Sequence, residues 1–500
     1  MNYEVVVVGG GIGGLTAAAL LAARGMRVCL LERESRVGGC VATFERLGYQ
    51  FEPGAGLYAG WEPGGIHERI LAELRIPAPE VKPVDPAYVV HLPDGAEIPV
   101  ASDDEEFYAS LRAAFPECAD EAVDFYREIA PLSAALQRAI RRAPDLATAS
   151  RLRLMRAAAG EARLVPRVLG AMNDTAAQHL ARTSFRFRRF LDAQLQMFAL
   201  VPTEACAYLY AAVALMLPRA GMHAIRGGAQ ALADALATAI KQSGGAVRLN
   251  SPALRLAYRP DGSVAGVDLL SGERIMASRA VVSNLTVWDT YGKLAGLQRT
   301  PDRVRRRLKE LRGWGAYLLY LGIDEDAFGS LPANQILALC DWQEKEPYDP
   351  EAAQFMFSAA PAWDPRAPAG KRAVTVSTFT EAEKWFAFHE DEEEHEAQDQ
   401  DALEIWWERL HRALPQLGDR LEMIESATPR TFYEQTRRKL GMVGGVGQAL
   451  DVFGPNALTH RTSIPNLYMV GDSTFPGLGV AAVTLSGLIV ANELAPPAKT

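Results

Sequence analysis

Residues 4–32 read EVVVVGGGIGGLTAAALLAARGMRVCLLE, and this stretch decides the fold. A short apolar run leads at once into the glycine-rich turn Gly9–Gly14. The alanine- and leucine-rich pattern of Leu15–Ala23 predicts a helix, and a second apolar run, Val28–Leu31, predicts a strand that ends at Glu32. The order strand, glycine turn, helix, strand and acid is typical of a βαβ unit that holds the adenosine diphosphate half of a dinucleotide.

Each part of this unit has a physical role. Gly9 makes the tight turn after the strand, Gly11 lets the backbone approach a pyrophosphate, and Gly14 allows close packing of helix and strand. The free amides and the positive end of the helix dipole then face the phosphates. Glu32 can accept hydrogen bonds from both ribose hydroxyls, which favours NAD or FAD over NADP. The alternative is a glycine-rich turn that binds no ligand.

The bulk composition narrows the class of protein. The chain has 500 residues, 49% of them hydrophobic, which is enough for two to four domains with a large core. A net charge of −9 argues against general nucleic-acid binding. Because the predicted first strand begins at Glu4, we expect no signal or transit peptide. Scattered cysteines without metal-site or redox-motif spacing indicate a reducing, cytoplasmic setting; they are Cys29, Cys40, Cys118, Cys206 and Cys340.

Two further stretches carry weaker signals. Ala205–Leu217 is the best candidate for a membrane span, but its 13 residues fall short of the roughly 18 that a span needs, so we expect a buried helix. Glu390–Glu404 is strongly acidic, and we interpret it as a solvated loop and helix start. The histidines nearby have no zinc-site spacing, so no metal is predicted.

The order of the elements predicts two interleaved domains. Residues 106–217 have mainly helical patterns, and Met222–Gly245 predicts a glycine turn followed by one amphipathic helix. Strands recur between 247 and 284, with a hairpin turn predicted at Asp261–Gly262. Leu467–Asp472 predicts a strand that runs into a turn before an apolar helix. If this last strand completes the sheet that begins at Glu4, both ends of the chain build the nucleotide domain. We therefore expect a nucleotide domain of residues 1–75, 221–290 and 426–500, and an inserted substrate domain of residues 76–220 and 291–425 with a helical subdomain at about 106–217.

A second cofactor signal lies near the end of the chain. Gly471 and Asp472 resemble the second contact of many FAD proteins, where a carboxylate at a strand end accepts hydrogen bonds from the ribityl chain or from water at the pyrophosphate. Gly477 and Gly479 open a helix whose first amides could face the pyrimidine edge of the flavin, where a helix N-terminus would favour reduction. The alternative is a turn aspartate that caps a structural helix.

Taken together, these motifs resemble the carotenoid desaturase–isomerase branch of the FAD-dependent oxidoreductases. This branch includes bacterial phytoene desaturases, carotenoid isomerases, carotenoid 3,4-desaturases and retinol saturase. The most specific match is GDSTFPGLGVAAVTLSG at 471–487, and WEPGGIH at 61–67 is most similar to the 3,4-desaturase and isomerase subgroups. Further matches are Gly9–Gly14, Gly38–Gly39, GYQFEPGAG at 48–56, Gly227–Gly228, Val282–Asn284, Thr428–Pro429 with Phe432, and Gly441–Gly445.

The resemblance implies an α/β fold, in which a Rossmann-like FAD-binding domain is interleaved with an α+β substrate domain that bears a helical, membrane-facing part. It implies FAD as the cofactor, and it identifies no catalytic residue. The expected cofactor-binding residues are Gly9, Gly11, Ile12, Gly13, Gly14, Glu32, Arg33, Gly38, Gly39, Cys40, Gly54, Ala55, Gly56, Ala253, Gly471, Asp472, Gly479, Val480 and Ala481.

Three positions depart from the pattern of this family. Cys40 follows the double glycine where many relatives have Arg or Ser, so a basic side chain near the flavin phosphates is missing or comes from elsewhere. Glu52 stands where a strand-end Asp is typical. Ala253 stands where Val often lies beside the adenine, a contact that its backbone could still make.

A basic stretch suggests contact with a membrane. Residues 138–189 contain twelve arginines and three acids, a net charge of +9 on an acidic chain. Such a helical segment with Leu, Ala and Met predicts peripheral docking on an anionic bilayer, from which an enzyme could draw an oily substrate. The alternative is a set of solvated helices. The arginines are Arg138, Arg141, Arg142, Arg151, Arg153, Arg156, Arg163, Arg167, Arg182, Arg186, Arg188 and Arg189.

The resemblance also implies an enzyme that acts on a long apolar polyene. The first interpretation is desaturation, in which a hydride passes from an allylic carbon to flavin N5 and a proton is lost. Redox-neutral cis–trans isomerisation by reduced flavin and retinol saturase-like reduction stay open. Flavin amine oxidation shares the fold, but the aromatic C-terminal signature of those enzymes is absent. The non-enzymatic alternative is a prenyl-cargo binding protein of the GDP-dissociation-inhibitor type, which uses no flavin.

Overall fold

The computed structural model describes residues 3–146, 159–387 and 391–497. Its strands are β1 Tyr3–Val8, β2 Val28–Leu31, β3 Phe44–Arg46, β4 Tyr49–Phe51, β5 Val81–Val84, β6 Val89–His91, β7 Glu97–Pro99, β8 Met222–Ile225, β9 Ala246–Arg248, β10 Ala253–Tyr258, β11 Val264–Leu269, β12 Arg274–Ser283, β13 Gly315–Asp324, β14 Gln335–Leu339, β15 Gln354–Ala359, β16 Lys371–Thr380, β17 Leu421–Ala427 and β18 Leu467–Met469.

The α-helices of the described residues vary from single turns to more than twenty residues. They are α1 Ile12–Ala23, α2 Ile66–Leu74, α3 Asp104–Ala114, α4 Ala119–Arg142, α5 Val165–Gly170, α6 Phe185–Ala199, α7 Tyr208–Met216, α8 Ala229–Gln242, α9 Val287–Asp289, α10 Asp302–Glu310, α11 Pro350–Ala353, α12 Glu392–Ala413, α13 Pro429–Thr436 and α14 Val480–Leu494.

The first seven-stranded sheet has the order β10-β11-β12-β1-β2-β9, and β18 also pairs with β12. The neighbours β18, β12, β1, β2 and β9 are parallel. Strands β10 and β11 form an antiparallel hairpin that extends the sheet beyond β12. Strand β18 therefore lies in the sheet that begins at Tyr3, and the carboxyl ends of five strands meet at one edge.

Strand β1 is buried on both of its faces. Val5 and Val7 belong to a hydrophobic cluster with α1 and α8, whereas Val6 and Val8 belong to the cluster on the opposite side. A strand buried on both faces has to be a continuous apolar run, because each side chain meets a core. Burial of each valine contributes about 1.5–3 kcal/mol, so the sheet is anchored at this strand. Helix α1 packs against both α8 and α14.

The second seven-stranded sheet has the order β17-β13-β16-β15-β14-β6-β7 and is antiparallel except between β14 and β6. Helix α12 covers one face, where Trp406 and Leu410 form a cluster with Phe355 and Phe357 of β15. On the other face, Leu337 of β14 joins the hydrophobic cluster of the helical part. The sheet therefore separates an outer aromatic core from the helices.

The described residues of the stretch 104–216, which are 104–146 and 159–216, are mainly helical and build a core of their own. Phe107 of α3, Phe125 of α4 and Phe190 of α6 are buried together. Helix α7 is largely buried as well, which confirms the expectation of a buried helix within Ala205–Leu217. Among the helices of residues 3–146, 159–387 and 391–497, none is long and apolar enough to cross a lipid bilayer.

The small sheet of β5 and β8 joins two stretches that the sequence analysis assigned to different domains. Strand β5 belongs to the expected substrate domain and β8 to the expected nucleotide domain, yet the two strands pair antiparallel. The sequence predicted a glycine turn and a helix over residues 222–245. The helix is α8, but strand β8 was missed because its partner lies far away in the chain. The division into domains stays a prediction.

A buried cluster of charges ties the first half of the chain to the second sheet. Arg366 donates from Nη1 to Glu52 Oε2 at 2.8 Å and from Nε to Asp364 Oδ2 at 2.7 Å, and the three residues are only 5–7% exposed. Burial opposes the charged guanidinium, but the two carboxylates raise the pKa of Arg366. Glu52 also accepts the amide of Ala229 at 3.1 Å, at the start of α8. Glu52 therefore contacts both Arg366 and the start of α8.

Arg366→Met should destabilise the protein strongly, because it leaves the carboxylates of Glu52 and Asp364 buried without a counter-charge. Breaking such a cluster costs about 3–5 kcal/mol. The matched control is Arg248→Met, because the pair of Arg248 with Glu273 has side chains 34% and 49% exposed, and exposed pairs contribute little to stability. Thermal and urea unfolding of both variants tests the expectation, and equal losses in the two would contradict it.

Candidate functional site

The glycine turn lies at the carboxyl edge of the first sheet. The Gly9 amide donates to the carbonyl oxygen of Leu31, and the Asn284 amide donates to that of Val8, both at 2.8 Å. Gly9 has a φ of +99°, a conformation that favours glycine. Helix α1 begins at Ile12 without a side-chain cap, so its first amides and the positive end of its dipole are open to an anion.

The side chain of Asn284 fills the space that missing Cβ atoms leave. A Cβ atom on Gly11 would lie 2.6 Å from Asn284 Nδ2, and one on Gly13 would lie 2.9 Å from Asn284 Oδ1. A Cβ atom on Gly14 would collide with the carbonyl oxygen of Gly9. The turn therefore has no room for a larger residue at these positions, as a cradle for a pyrophosphate requires.

The C-terminal part of the chain reaches the same place. The Gly471 amide nitrogen lies 3.1 Å from the position of a Cβ atom on Gly13, and Gly471 has a φ of +105°. This amide donates to Ser486 Oγ of α14 at 3.0 Å. Helix α14 begins at Val480, after Gly479, again without a side-chain cap. The two glycine motifs are therefore adjacent, although they lie near opposite ends of the chain.

Glu32 is held at the end of β2 by backbone amides. Its carboxylate accepts the amides of Gly10 at 2.6 Å and Glu34 at 2.8 Å. Burial raises the pKa of Glu32, and these amides act against the rise. Arg33 has a different surrounding, since its Nη2 donates to two carbonyl oxygens at the C-terminal end of α13, at 3.0 and 2.8 Å. Arg33 thus connects the nucleotide unit to α13.

The double glycine packs directly on the glycine turn. The Gly38 amide donates to the carbonyl oxygen of Gly10 at 2.8 Å. A Cβ atom on Gly39 would lie 3.4 Å from Gly11 Cα, and a contact this close is at the limit of normal packing. Burial raises the pKa of the Cys40 thiol, although a nearby guanidinium opposes the rise. Cys40 is therefore a neutral thiol at physiological pH.

The remaining residues expected to bind the cofactor, at positions 54–56 and 253, do not contact the glycine turn. Gly54, Ala55 and Gly56 line a cavity of about 30 Å³ together with side chains of β14, β15 and β16. Strand β10 begins at Ala253. Two residues earlier, the Ser251 amide donates to the carbonyl oxygen of Glu32 at 2.8 Å. The structure does not bring these residues into contact with the glycine turn, and their roles as cofactor contacts stay predictions.

The start of α14 lies beside the loop that precedes α2. A Cβ atom on Gly60 would lie 3.0 Å from Ala481 Cβ and 3.2 Å from His67 Cδ2. His67 is 1% exposed and stacks on Trp61, with ring centroids 4.5 Å apart. Burial lowers the pKa of His67 to about 3, and the nearby His223 adds to this effect. The ring is therefore uncharged at neutral pH.

Two residues of this site had no role in the sequence analysis. Asn284 was seen only as part of a matched motif, although its place directly after a buried strand put it at the carboxyl edge of the sheet. Arg438 donates from Nη2 to Asp472 Oδ2 at 2.7 Å and from Nε to the carbonyl oxygen of Met442 at 2.7 Å. No sequence pattern marks this arginine, because its partner lies on a different loop.

Residues 12–495 match the family described as "Flavin containing amine oxidoreductase". The chain belongs to this family. It is 25% identical to the chloroplastic prolycopene isomerase of Arabidopsis thaliana, over 99% of this chain and 82% of that protein. It is 26% identical to the all-trans-retinol 13,14-reductase of Homo sapiens, over 95% of this chain and 82% of that protein.

Solved structures of low sequence identity share the fold. An oxidoreductase from Methanosarcina mazei superposes with a TM-score of 0.67 at 18% identity, over 97% of this chain and 99% of that one. Cyclohexylamine oxidase from Brevibacterium oxydans superposes with a TM-score of 0.60 at 18% identity, over 99% and 100% of the two chains. These likenesses support the α/β fold of a flavin oxidoreductase.

The protein is an enzyme whose cofactor is FAD. The residues present fit this group, because Gly11, Gly13 and Gly14 place no side chains at the start of α1, whose uncapped amides can bind the two phosphates. Glu32 lies at a strand end, where a carboxylate can accept ribose hydroxyls. The expected assignments of single residues to parts of the cofactor stay proposals.

His67→Phe should make stability less dependent on pH. The folded state holds the imidazole neutral down to a pKa of about 3, whereas in the unfolded chain it is protonated below a pKa of about 6.5. The unfolded state therefore binds an extra proton as the pH falls, and at pH 5.5 the wild type loses about 1.4 kcal/mol through this group.

Melting temperatures of wild type and His67→Phe, measured between pH 7.5 and 5.5, test this expectation. The aromatic replacement keeps the stacking on Trp61, so a lower melting temperature of the variant at pH 7.5 reports only the change in packing. The melting temperature of the variant should fall less than that of the wild type. Parallel curves for the two proteins would show that His67 does not carry the pH dependence.

Proposed function

We propose that the chain is an FAD-dependent oxidoreductase that acts on a long apolar polyene of the carotenoid type. One observation carries this proposal: the chain matches relatives named for prolycopene and for all-trans-retinol along 95–99% of its length. Both names denote conjugated polyenes. The solved amine oxidases, at 16–18% identity, support only the fold.

The surroundings of the expected cofactor contacts suit an apolar substrate. Ala55 and Ala481 pack against the hydrophobic cluster of the helical part, as do the partly buried Phe198, Tyr210 and Met216. A polyene offers few polar groups to bind, so an enzyme recognises it by the length and shape of an apolar surface. This continuity between the cofactor site and the helical core supports the proposal.

Desaturation is the reaction that we propose. A hydride leaves one carbon and a proton leaves its neighbour, so that a new double bond forms; bound FAD supplies the two-electron acceptor. The uncapped N-terminus of α14 would favour negative charge on the reduced cofactor. His67 is a poor base for the proton at neutral pH, because its pKa is held at about 3. We assign no residue to that step.

Isomerisation and saturation are the alternatives with specific support. The relative in Arabidopsis thaliana is named an isomerase and the relative in Homo sapiens a reductase. Isomerisation would leave the substrate composition unchanged, and saturation would add two hydrogens to one double bond. The three reactions therefore differ in the mass of the product.

Product mass and the flavin spectrum, recorded together under anaerobic conditions, decide among these reactions. With lycopene-, neurosporene- or retinol-like substrates we expect a product lighter by two hydrogens and bleaching of the oxidised flavin in one turnover. An unchanged mass with activity only after reduction of the flavin would replace desaturation by isomerisation, and a gain of two hydrogens would replace it by saturation.

We propose that the helical part docks on an anionic membrane surface. Arginines of the basic stretch differ in their surroundings. Arg138 pairs with Glu161, and Arg189 is buried with Asp192, so these two arginines add little to an exposed positive surface. Arg151, Arg153 and Arg156 lie outside the described residues.

Helix α5 offers the features that favour docking. Leu169 is 66% exposed, and Arg163 and Arg167 lie within six residues of it. The Arg167 side chain is 52% exposed, although its Nη2 lies 3.5 Å from Glu128 Oε1. An exposed apolar side chain among basic ones suits the interface of an anionic bilayer, because the leucine enters the acyl boundary while the arginines contact headgroups. Helix α5 would make a peripheral contact with the membrane surface.

Leu169→Glu should weaken flotation with anionic liposomes, because it places a charge where an apolar side chain would insert. Leu270→Glu is the matched control, since Leu270 is 68% exposed and follows β11 of the first sheet. We expect wild type and control to float with vesicles rich in phosphatidylserine and to be released by salt. Equal flotation of both variants, or flotation independent of anionic lipid, would refute docking through α5.

A further inference from the structure

The Arg438 side chain lies where two cofactor motifs meet. Its guanidinium is bound to Asp472, directly after Gly471, and to the backbone carbonyl of Met442. The side chain is only 15% exposed. The loop that carries it is close to Asp472 as well, because a Cβ atom on Gly445 would collide with the Asp472 carbonyl oxygen. Arg438 is therefore fixed in position by contacts on both sides.

The same guanidinium lies near the double glycine. Helix α13, which ends at Thr436 two residues before Arg438, contacts the turn Gly39–Val41. Cys40 lies in this turn, and Arg438 and Asp472 influence its thiol. Gly39 packs on Gly11, and Gly471 packs on Gly13. A cation beside both Cys40 and Asp472 is thus adjacent to the cradle that the two glycine motifs form. Directly after the double glycine at this place, the chain has Cys40 and lacks a basic residue.

We propose that Arg438 binds the pyrophosphate of FAD and supplies the positive charge that position 40 does not. The proposal rests on FAD as the cofactor and is independent of the substrate. A pyrophosphate carries two negative charges, and the Asp472 carboxylate next to it adds a third. The N-terminus of α1 offers only about half a positive charge. A guanidinium between these anions therefore stabilises both.

The geometry of the guanidinium allows this double role. An arginine has five N–H donors, and its bonds to Asp472 and Met442 use one on Nη2 and one on Nε. Donors on Nη1 and Nη2 are left for phosphate oxygens, with a thiol as the weak alternative acceptor. The rival interpretation is that Arg438 only clamps Asp472 and its own loop.

Binding of FAD, ADP and riboflavin to apoprotein separates these interpretations. The variants are Arg438→Gln and the neighbouring control Arg437→Gln, since Arg437 lies over the ring of Tyr433. A lost charge-assisted bond should weaken FAD and ADP about 10- to 100-fold in Arg438→Gln, and riboflavin, which has no phosphate, less than about twofold. Arg437→Gln should bind all three like the wild type.

The rescue variant Cys40→Arg gives an independent test. In the double variant Cys40→Arg with Arg438→Gln, we expect most of the affinity for FAD and ADP to return, because the new side chain supplies the charge from the other side. Loss of FAD binding without loss of ADP binding, or no recovery in the double variant, would overturn the proposal. If Arg438→Gln does not fold, the double variant decides between the two interpretations. A double variant that folds and binds FAD supports the proposal. A double variant that also fails to fold assigns Arg438 a structural role.

Discussion

The close approach of backbone segments at the carboxyl edge of the first sheet is the constraint on which the structure depends. Gly11, Gly13 and Gly471 have no Cβ atoms, and the Asn284 side chain occupies the space between them. Any side chain at these glycines would push α1, β12 and the end of β18 apart. The N-terminus of α1 is exposed to an anion only because these segments stay in contact with one another.

The buried Glu52–Arg366–Asp364 cluster extends this arrangement to the second sheet. Glu52 contacts the start of α8, which packs on α1, while Arg366 and Asp364 belong to the loop between β15 and β16. Burying charges is costly, and a cluster of this kind specifies one arrangement of the parts it joins more than it adds stability. The cofactor site and the sheet beside it are therefore held in a fixed relation.

The sequence predicted what local patterns determine. The run from Glu4 to Glu32 predicted β2 with its observed bounds and β1 to within one residue, whereas α1 begins at Ile12, three residues before the predicted start at Leu15. The Asp261–Gly262 turn predicted the hairpin of β10 and β11. Features that depend on distant partners were not predicted. Arg366 lies 314 residues from Glu52, and Arg438 lies 34 residues before Asp472. The net charge of +9 for residues 138–189 did not include Asp192, which lies just beyond this stretch and pairs with the buried Arg189.

The place of β18 in the sheet has a consequence for biosynthesis. Strand β12 pairs with β1 on one side. On its other side, Arg274–Met276 pairs with β11 and Val281–Ser283 pairs with β18, so the edge at Val281–Ser283 stays unpaired until Leu467–Met469 leaves the ribosome. At about 5–20 residues per second, the interval between translation of β12 and β18 is roughly ten to forty seconds. During that time an apolar edge is exposed to other nascent chains. The yellow holoprotein can therefore form only after β18 has been translated and has joined the sheet.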